Sequence, residues 1–359
     1  MKMRSHFLLK LVLQILQKVR WRQSQQGRQA GLTLIEILVS AIIAVIMVTI
    51  LLGFMVQLLN TNRREQVLTE TQQEMKTALD YIANDVQSAL YVYDGECLDG
   101  DDSDVNSDDN CAGIFDNGYL TSTPDNSVPI LAFWKLEPLP SDLESNCSDD
   151  DGTNNKITND ITDADVNTVP IPCSSGKSPT LVVYFLKRND PSSEDWQGLA
   201  RIIRYELGRY NSSGDPVEGY ANPGDSRTNY RQWPEDDSGT DLTNDSGTGS
   251  PNSVTLTDFV DGRQLSNIDG DLDASCPSGQ ITPSDTTLEA NEDYNNTNYS
   301  GVRTFYACVS TGDSTQKRVS LFLRGNSYGK EGVESPSNGF LPALSTEVLS
   351  RGVTNKIPR

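Results

Sequence analysis

The stretch GLTLIEILVSAIIAVIMVTILLGFMVQLL, residues 31–59, decides how this chain is organised. Its apolar run from Leu32 to Leu59 would extend about 42 Å as an α-helix, which exceeds a hydrocarbon core of roughly 30 Å. The run therefore predicts a transmembrane helix. Glu36 is the single charged residue within it. A carboxylate at bilayer depth costs about 2.5–3.5 kcal/mol on insertion scales, so a charged residue at this position indicates a functional role.

Basic residues are concentrated before this helix and acidic residues after it. Seven basic residues and no acid precede it, namely Lys2, Arg4, Lys10, Lys18, Arg20, Arg22 and Arg28. Only Arg63 and Arg64 follow closely, so the positive-inside rule predicts a single-pass protein with a cytoplasmic N-terminus and the rest of the chain outside. Without residues 1–31 the net charge of -21 would become -28. Such an acidic chain repels nucleic-acid phosphates, which excludes nucleic acid as a partner.

The N-terminal residues allow one other interpretation. FLLKLVLQIL (7–16) could be the apolar core of a secretory signal, with the run after it a stop-transfer helix. Lys10 interrupts that core, however, and the polar, basic SQQGRQAG (24–31) follows in place of a small-residue cleavage site. We therefore expect residues 1–31 to be a basic leader.

The helical pattern continues beyond the apolar run. Neither Gly nor Pro occurs between Gly53 and Gly95. Apolar residues recur at helical spacing on one face, at Leu68, Met75, Leu79, Ile82, Val86 and Ala89. We therefore predict one helix that runs to about Leu90, apolar all round over residues 32–59 and amphipathic over residues 60–92.

Short runs of β-forming residues follow after Gly95. They cover residues 128–136, 179–188, 199–207, 254–261, 302–310 and 317–325. The last run alternates apolar and polar side chains, as a half-buried antiparallel strand does. The chain is therefore predicted to be an α+β protein, in which the long N-terminal helix packs on an antiparallel β-sheet head.

Long stretches rich in Asp, Asn, Ser, Gly and Thr separate the β-type runs. They are residues 94–127, 141–178 and 208–253. Their composition predicts acidic surface loops or disordered insertions within a head of residues 93–325. Residues 326–359 contain few apolar side chains, and we expect an extended C-terminal tail there.

All six cysteines follow the apolar helix: Cys97, Cys111, Cys147, Cys173, Cys276 and Cys308. The predicted topology places them on the oxidising side of the membrane. The sequence contains no CxxC pair, which argues against zinc binding or redox chemistry. An even count favours up to three disulfides, for which six cysteines allow 15 connectivities. Proximity in the sequence favours the pairs Cys97–Cys111, Cys147–Cys173 and Cys276–Cys308.

GLTLIE (31–36), between a basic leader and an unbroken apolar helix, resembles the processing signature of type IV prepilins. The resemblance implies that a prepilin peptidase cuts between Gly31 and Leu32 and methylates the new Leu32 amine. It also implies that Glu36 acts in filament assembly, where its carboxylate meets the amine of a neighbouring subunit. Two charges that are each costly in hydrocarbon become less so when they are paired. Most members of the family have Phe where this chain has Leu32.

Gly53 stands where many pilins carry a helix-weakening proline. Gly destabilises a helix interior by about 1 kcal/mol relative to Ala, far less than Pro does. Two interpretations stay open: local melting of the helix as the subunit leaves the bilayer, and close packing against another helix.

Six further segments carry a second resemblance. They are NRREQ (62–66), YIANDVQSALYVYD (81–94), PILAFWK (129–135), LARIIRYEL (199–207), RVSLFLRG (318–325) and LSTEVLSRGV (344–353). These segments are similar to the C-type pseudopilins of cyanobacterial hormogonium polysaccharide secretion, which are close to the W-type minor pilins. The similarity implies a subunit of a type IV pilus-like machine that supports polysaccharide secretion and surface motility.

The composition argues against an enzyme. The single histidine, His6, lies in the leader, so the processed chain would lack the commonest general base and every imidazole metal ligand. Paired carboxylates can hydrolyse glycosides, but the acidic residues here lie mainly in solvent-type loops. We therefore expect a non-enzymatic protein without a cofactor.

A membrane-anchored adhesin or sugar-binding head on a pilus tip is the alternative function. Its candidate sugar-stacking residues are Trp134, Trp196 and Trp233, although packing in a core or a loop explains any of them at least as well. Asp269, Asp271 and Asp273 alternate as calcium ligands do, but the Gly and the terminal Glu of an EF-hand loop are absent, so no metal site is assigned.

The favoured interpretation also defines the expected partners. They are other pilins or pseudopilins, the prepilin peptidase, the inner-membrane assembly platform and the membrane itself, with polysaccharide as a further candidate.

Overall fold

The computed structural model describes residues 33–93, 114–144, 160–161, 169–170, 175–263, 276–281, 304–310, 316–335 and 341–352, with short gaps inside several of these ranges. The chain divides into two compact units, Met1–Thr61 and Asn62–Arg359. Helix α1, Leu34–Gln87, begins in the first unit and ends in the second.

Helix α1 is 54 residues long. Its first turn closes where the Glu36 amide donates to the Thr33 carbonyl at 2.9 Å. The predicted end near Leu90 is three residues late, because the helix stops at Gln87. The Leu90 amide instead donates to the Trp134 carbonyl at 2.7 Å, so pairing with a strand replaces the last helical turn.

The part of the chain that the structure describes contains eleven strands. They are β1 (Tyr91–Val92), β2 (Ser127–Pro138), β3 (Asp160–Ile161), β4 (Val169–Pro170), β5 (Lys177–Arg188), β6 (Ala200–Leu207), β7 (Asn252–Val260), β8 (Gln280–Ile281), β9 (Phe305–Ser310), β10 (Arg318–Arg324) and β11 (Ala343–Leu349). The six runs predicted from the sequence correspond to β2, β5, β6, β7, β9 and β10. All strand pairs are antiparallel.

Two antiparallel sheets form the framework of the second unit. The first sheet has the order β1-β2-β5-β6-β7, and the second has the order β11-β10-β9-β8. Strands β3 and β4 pair separately. The predicted α+β class, with a long N-terminal helix and antiparallel sheets, is confirmed.

A first hydrophobic core lies between α1 and one face of both sheets. The helix contributes Met75, Ala78, Leu79, Ile82 and Val86, and strands β9 and β10 contribute Phe305, Ala307, Val309, Val319, Leu321 and Leu323. These positions follow the helical and the alternating periods seen in the sequence. Burial of this stripe stabilises the helix far more than its intrinsic propensity does.

A second hydrophobic core covers the opposite face of the first sheet. Strand β5 shows the division, since Val182 and Tyr184 face the first core whereas Leu181 and Val183 face the second. The strand is therefore buried on both faces, which explains why its sequence reads as a continuous apolar run.

The second core corrects the expectation of surface loops or disordered insertions for two of the polar stretches. Ile114, Phe115 and Leu120, from residues 94–127, are buried in it. Residues 208–253 were predicted to be a surface loop or a disordered insertion, but Val217, Tyr220 and Trp233 from this stretch are buried in the second core. Three large apolar side chains, spread without a period among polar neighbours, are enough to anchor it on the sheet.

The two sheets meet at Asp261. The backbones of Val260 and Gly325 form an isolated bridge, and the Asp261 carboxylate is fully buried beside it. Arg263 Nε donates to this carboxylate at 2.8 Å and Asn326 Nδ2 at 3.1 Å. Burial opposes the charge on Asp261, but these hydrogen bonds and the nearby guanidinium of Arg324 lower its pKa overall.

Part of the expected C-terminal tail belongs to the second sheet. Strand β11 pairs with β10 over seven residues, from Arg318↔Leu349 to Arg324↔Ala343. Leu344 and Val348 of this strand pack against the first core.

Candidate functional site

Glu36 lies in the first turn of α1. A carboxylate at this position is next to the positive end of the helix dipole, which stabilises an exposed negative charge by about 0.3–1 kcal/mol. Its apolar neighbours Leu34 and Ile37 are 85% and 55% exposed. No residue among those described forms an ion pair with Glu36. The carboxylate therefore has no described charged partner, and the helix around it is mostly apolar.

The apolar part of α1 is exposed on every side. Every residue described from position 33 to position 66 is exposed, including all the large apolar side chains between Leu34 and Leu59. This helix is long and apolar enough to cross a membrane, and it lies near the N-terminus, where a signal sequence would also lie. An apolar surface of this extent requires a lipid or protein environment.

The two residues of the predicted cleavage site, Gly31 and Leu32, lie outside the described residues. Gly53 is described, and α1 is helical through it. A Cβ built on Gly53 would meet no atom within 4 Å. Packing within the described part of this chain therefore does not require glycine at position 53.

A cluster of charged residues attaches the other half of α1 to the first sheet. Asp85, on the buried face of the helix, accepts hydrogen bonds from Lys135 Nζ, Tyr184 Oη and Arg204 Nε, each at 2.7 Å. The three donors stand on β2, β5 and β6 in turn. One carboxylate therefore fixes the helix against three neighbouring strands.

Two further acids complete this cluster. Glu137 pairs with Lys135, and Glu206 pairs with Arg204. Burial of Asp85 favours its neutral form, but the hydrogen bonds from Arg204 and Lys135 outweigh that effect and lower its pKa. Burial opposes the positive charge of Lys135, yet its bonds to Asp85 and Glu137 raise its pKa overall. Asp85 is therefore negatively charged, and Lys135 positively charged, at neutral pH.

This cluster was not predicted, although the sequence contains a pattern that indicates it. Lys135 and Arg204 stand within apolar strand sequences, and Asp85 lies between Ile82 and Val86 on the apolar face of the helix. Charged residues at buried positions are almost always paired. One charged side chain in each of three buried elements therefore indicates that the three side chains contact one another.

The structure accounts for two of the six cysteines. Cys276 and Cys308 form a disulfide, as proximity in the sequence suggested. This bond links β9 to the residues that precede β8. Cys97, Cys111, Cys147 and Cys173 lie outside the described residues, so their two predicted pairs stay predictions.

The candidate sugar-stacking residues are mostly inaccessible. Trp134 and Trp233 are completely buried, with ring centroids 5.2 Å apart, and neither has a face open to a ligand. Trp196 is partly exposed, and the guanidinium carbon of Arg201 lies 4.6 Å from its ring centroid.

Among the described residues, no group of three or more His, Cys, Asp or Glu side chains could hold a metal ion. Asp269, Asp271 and Asp273 lie outside this part of the chain.

Comparison with known proteins assigns no family to the chain. No family model matches it, and no curated protein and no solved structure is similar to it. The apolar half of α1, with Glu36 as its single carboxylate, is therefore the feature that most directly indicates a function.

Proposed function

We propose that this chain is a non-enzymatic minor pilin or pseudopilin of a type IV pilus-like machine, which supports polysaccharide secretion and surface motility. One observation carries the proposal. GLTLIE (31–36) leads directly into an apolar helix with Glu36 in its first turn, and this helix continues into an amphipathic half that packs on antiparallel sheets.

The apolar surface of this helix is compatible with two environments, one before and one after assembly. Its exposed apolar surface suits lipid before assembly and a bundle of other apolar helices after assembly. Within such a bundle, the Glu36 carboxylate of one subunit pairs with the amine that cleavage creates at Leu32 of another. Pairing lowers the cost of burying both charges and fixes the axial register of neighbouring subunits.

The proposal defines location and partners. The subunit is inserted once in the inner (plasma) membrane, with its N-terminus in the cytoplasm and its head outside, and then enters a filament at the cell surface. It interacts with the prepilin peptidase, the inner-membrane assembly platform and other pilins or pseudopilins.

The adhesin alternative has less support. Two of its three candidate tryptophans are completely buried, and the third is covered in part by Arg201. A sugar-binding head would need a different aromatic platform from the one that the sequence suggested.

The N-terminus of the purified protein tests the proposal directly. From a host that contains the prepilin peptidase, we expect a chain that begins at Leu32 and carries a methylated amine. A Gly31→Leu variant should stay uncut, because it removes the glycine of the GLTLIE signature on which the proposed cleavage rests. Intact-mass and peptide mass spectrometry measure both. A chain that keeps Met1, or one that is cut near residue 17, contradicts the proposal.

A further inference from the structure

The second sheet ends in an edge strand with a free hydrogen-bonding side. Strand β11 pairs with β10 and with no other described strand. The Ser350 amide donates to the Lys317 carbonyl at 2.9 Å, and the Pro342 carbonyl accepts from Gly325 at the same distance. These two bonds show that the even-numbered residues direct their backbone groups towards β10.

Backbone N–H and C=O groups alternate between the two sides of a strand. The odd-numbered residues of β11 therefore direct theirs away from β10, and these residues are Ala343, Ser345, Glu347 and Leu349. Their side chains are exposed as well. Within the described part of the chain, no strand pairs with the four N–H and four C=O groups along this edge, so they can accept another strand.

Strands β1 and β8 are edges of only two residues each, and the two longer edge strands, β7 and β11, differ in how well they are protected. Natural proteins block edges with bulges, prolines and lysines. The pairing of β7 with β6 is interrupted by two register shifts, and Phe259 of β7 has a positive φ of 60°. The pairing of β11 with β10 is regular over seven residues, and ALSTEVL contains no Pro, Gly or Lys. β11 is the open edge.

We propose that β11 is a self-association surface, on which β11 of a second copy of this chain adds as an antiparallel strand. The two four-stranded sheets then form one continuous sheet around a two-fold axis at Thr346. Such an isologous contact closes on itself and produces a dimer rather than a fibre.

The sequence of β11 is complementary to itself in this register. Leu344 lies opposite Val348 of the second copy, and Thr346 lies opposite Thr346. Cross-strand pairs of this kind stabilise an antiparallel strand pair relative to Ala–Ala.

On the other face, Ser345 lies opposite Glu347 of the second copy, so the hydroxyl can donate to the carboxylate. A shift of the axis to Glu347 would place two carboxylates opposite each other, which is destabilising. All seven residues of β11 pair only when the axis passes through Thr346.

The net charge of the chain sets the conditions for association. Two copies of net charge -21 repel each other over long distances. Salt screens this repulsion, with a Debye length of about 8 Å at physiological ionic strength and about 30 Å at 0.01 M. Because strand pairing acts at contact distance, the dimer fraction should rise with ionic strength.

Cysteine cross-linking of the full chain in detergent micelles tests the register. In the proposed dimer the two Thr346 Cα atoms are about 4.5 Å apart, within the range of a disulfide, whereas the two Ser345 Cα atoms are separated diagonally by about 7–8 Å. We expect mild oxidation to convert Thr346→Cys into a covalent dimer and to leave the matched Ser345→Cys variant largely monomeric. Equal cross-linking of both variants overturns the register.

Ser345→Pro tests the edge itself. It removes one outward N–H and no bond to β10, and proline is tolerated at such an edge position. At about 0.01 M salt, where repulsion keeps both chains monomeric, the variant should melt at the same temperature as the wild type. At about 0.15 M salt it should lose the dimer that the wild type forms in analytical ultracentrifugation. A wild-type chain that stays monomeric at every salt concentration overturns the proposal. Neither measurement depends on filaments, so its outcome is separate from that of the pilin proposal.

Discussion

Asp85 is a buried charge on a helix whose opposite face is solvent-exposed. Its carboxylate oxygens accept from Lys135, Tyr184 and Arg204, so the free-energy cost of removing the charge from water is offset by three strong hydrogen bonds. A hydrophobic contact at the same place could slide along the sheet, whereas these three bonds are satisfied in only one position of the helix. We infer that Asp85 fixes the helix register more than it adds net stability.

The Asp85→Asn variant tests this role. Loss of one partner from a buried ion pair costs 3–5 kcal/mol in general, and we expect about 3 kcal/mol because Glu137 and Glu206 still neutralise the two bases. Urea unfolding of the variant measures the difference. Asp80→Asn, an exposed position on the same helix, is the matched control and should change the free energy of unfolding little.

The difference in the free energy of unfolding between the wild type and Asp85→Asn should also depend on pH. The pKa of Asp85 is lower in the folded chain than its ordinary value of 3.8. Its stabilisation is therefore complete above about pH 4 and is lost as the pH falls through the folded-state pKa. The gap between the wild type and Asp85→Asn should be constant from pH 6 to about pH 8 and should narrow below about pH 4. A gap that is independent of pH would show that the carboxylate charge is not what stabilises the fold.

Glu36 presents the opposite situation, since no described residue forms an ion pair with it and the pilin proposal gives it a partner only on assembly. Glu36→Val should insert into the membrane at least as well as the wild type, because an apolar residue replaces a costly charge. Incorporation into filaments should fall, because the amine of the neighbouring subunit loses its partner. Immunoblots of membranes and of sheared filaments measure the two quantities. Ser40→Val, one turn further along the helix, is the control, and normal incorporation of Glu36→Val refutes the pairing role.

At the scale of elements, periodicity predicted the helix and six strands correctly. The apolar residues that recur at helical spacing, from Met75 to Val86, form the first core, and the apolar runs form the strands. Strand β11 was not predicted, because only Leu344 and Val348 of its residues contact the core. The second core was missed as well, because the stretch that covers it is polar in composition and has no period.

Trp233 tests whether residues 208–253 are a structural layer or a loop. Its ring is completely buried against Trp134, and its Nε1 donates to the Ala221 carbonyl at 2.8 Å. Trp233→Ala should lower the free energy of unfolding by about 3–5 kcal/mol, because the cavity and the lost contacts add. Trp196→Ala, at a partly exposed position, should cost much less. Equal effects in chemical denaturation would restore the loop interpretation.

At the scale of the whole molecule, the sequence predicted an apolar helix followed by a β-rich head, and the structure agrees with that order of elements. The sequence did not predict which residues far apart in the chain contact one another. The Asp85 cluster joins residues 50 to 119 positions apart in the chain, and only the register of three strands brings them together. The proposed assembly site, by contrast, is local: GLTLIE is six consecutive residues, so the proposal for it does not depend on the fold.

The size and charge of the second unit predict how often this subunit occurs in a filament. A compact unit of about 300 residues has a radius of gyration near 19 Å, and hence a width of about 50 Å. Helices packed in a filament core lie about 8–10 Å apart. Heads of this width would collide if every neighbouring helix carried one, and their negative charge adds mutual repulsion.

We therefore expect this chain to be a minor subunit, present singly or as a pair at a filament tip or at sparse positions, while a smaller pilin forms the bulk. Quantitative mass spectrometry of sheared filaments, with isotope-labelled peptides from β5 and β10 as standards, measures its ratio to the other pilins. A strain that lacks this chain provides the background. Since steric exclusion acts regardless of salt, the ratio should stay low in filaments assembled at high ionic strength. If this chain is the most abundant pilin in the filament, its head must be accommodated in another way and the minor-subunit proposal fails.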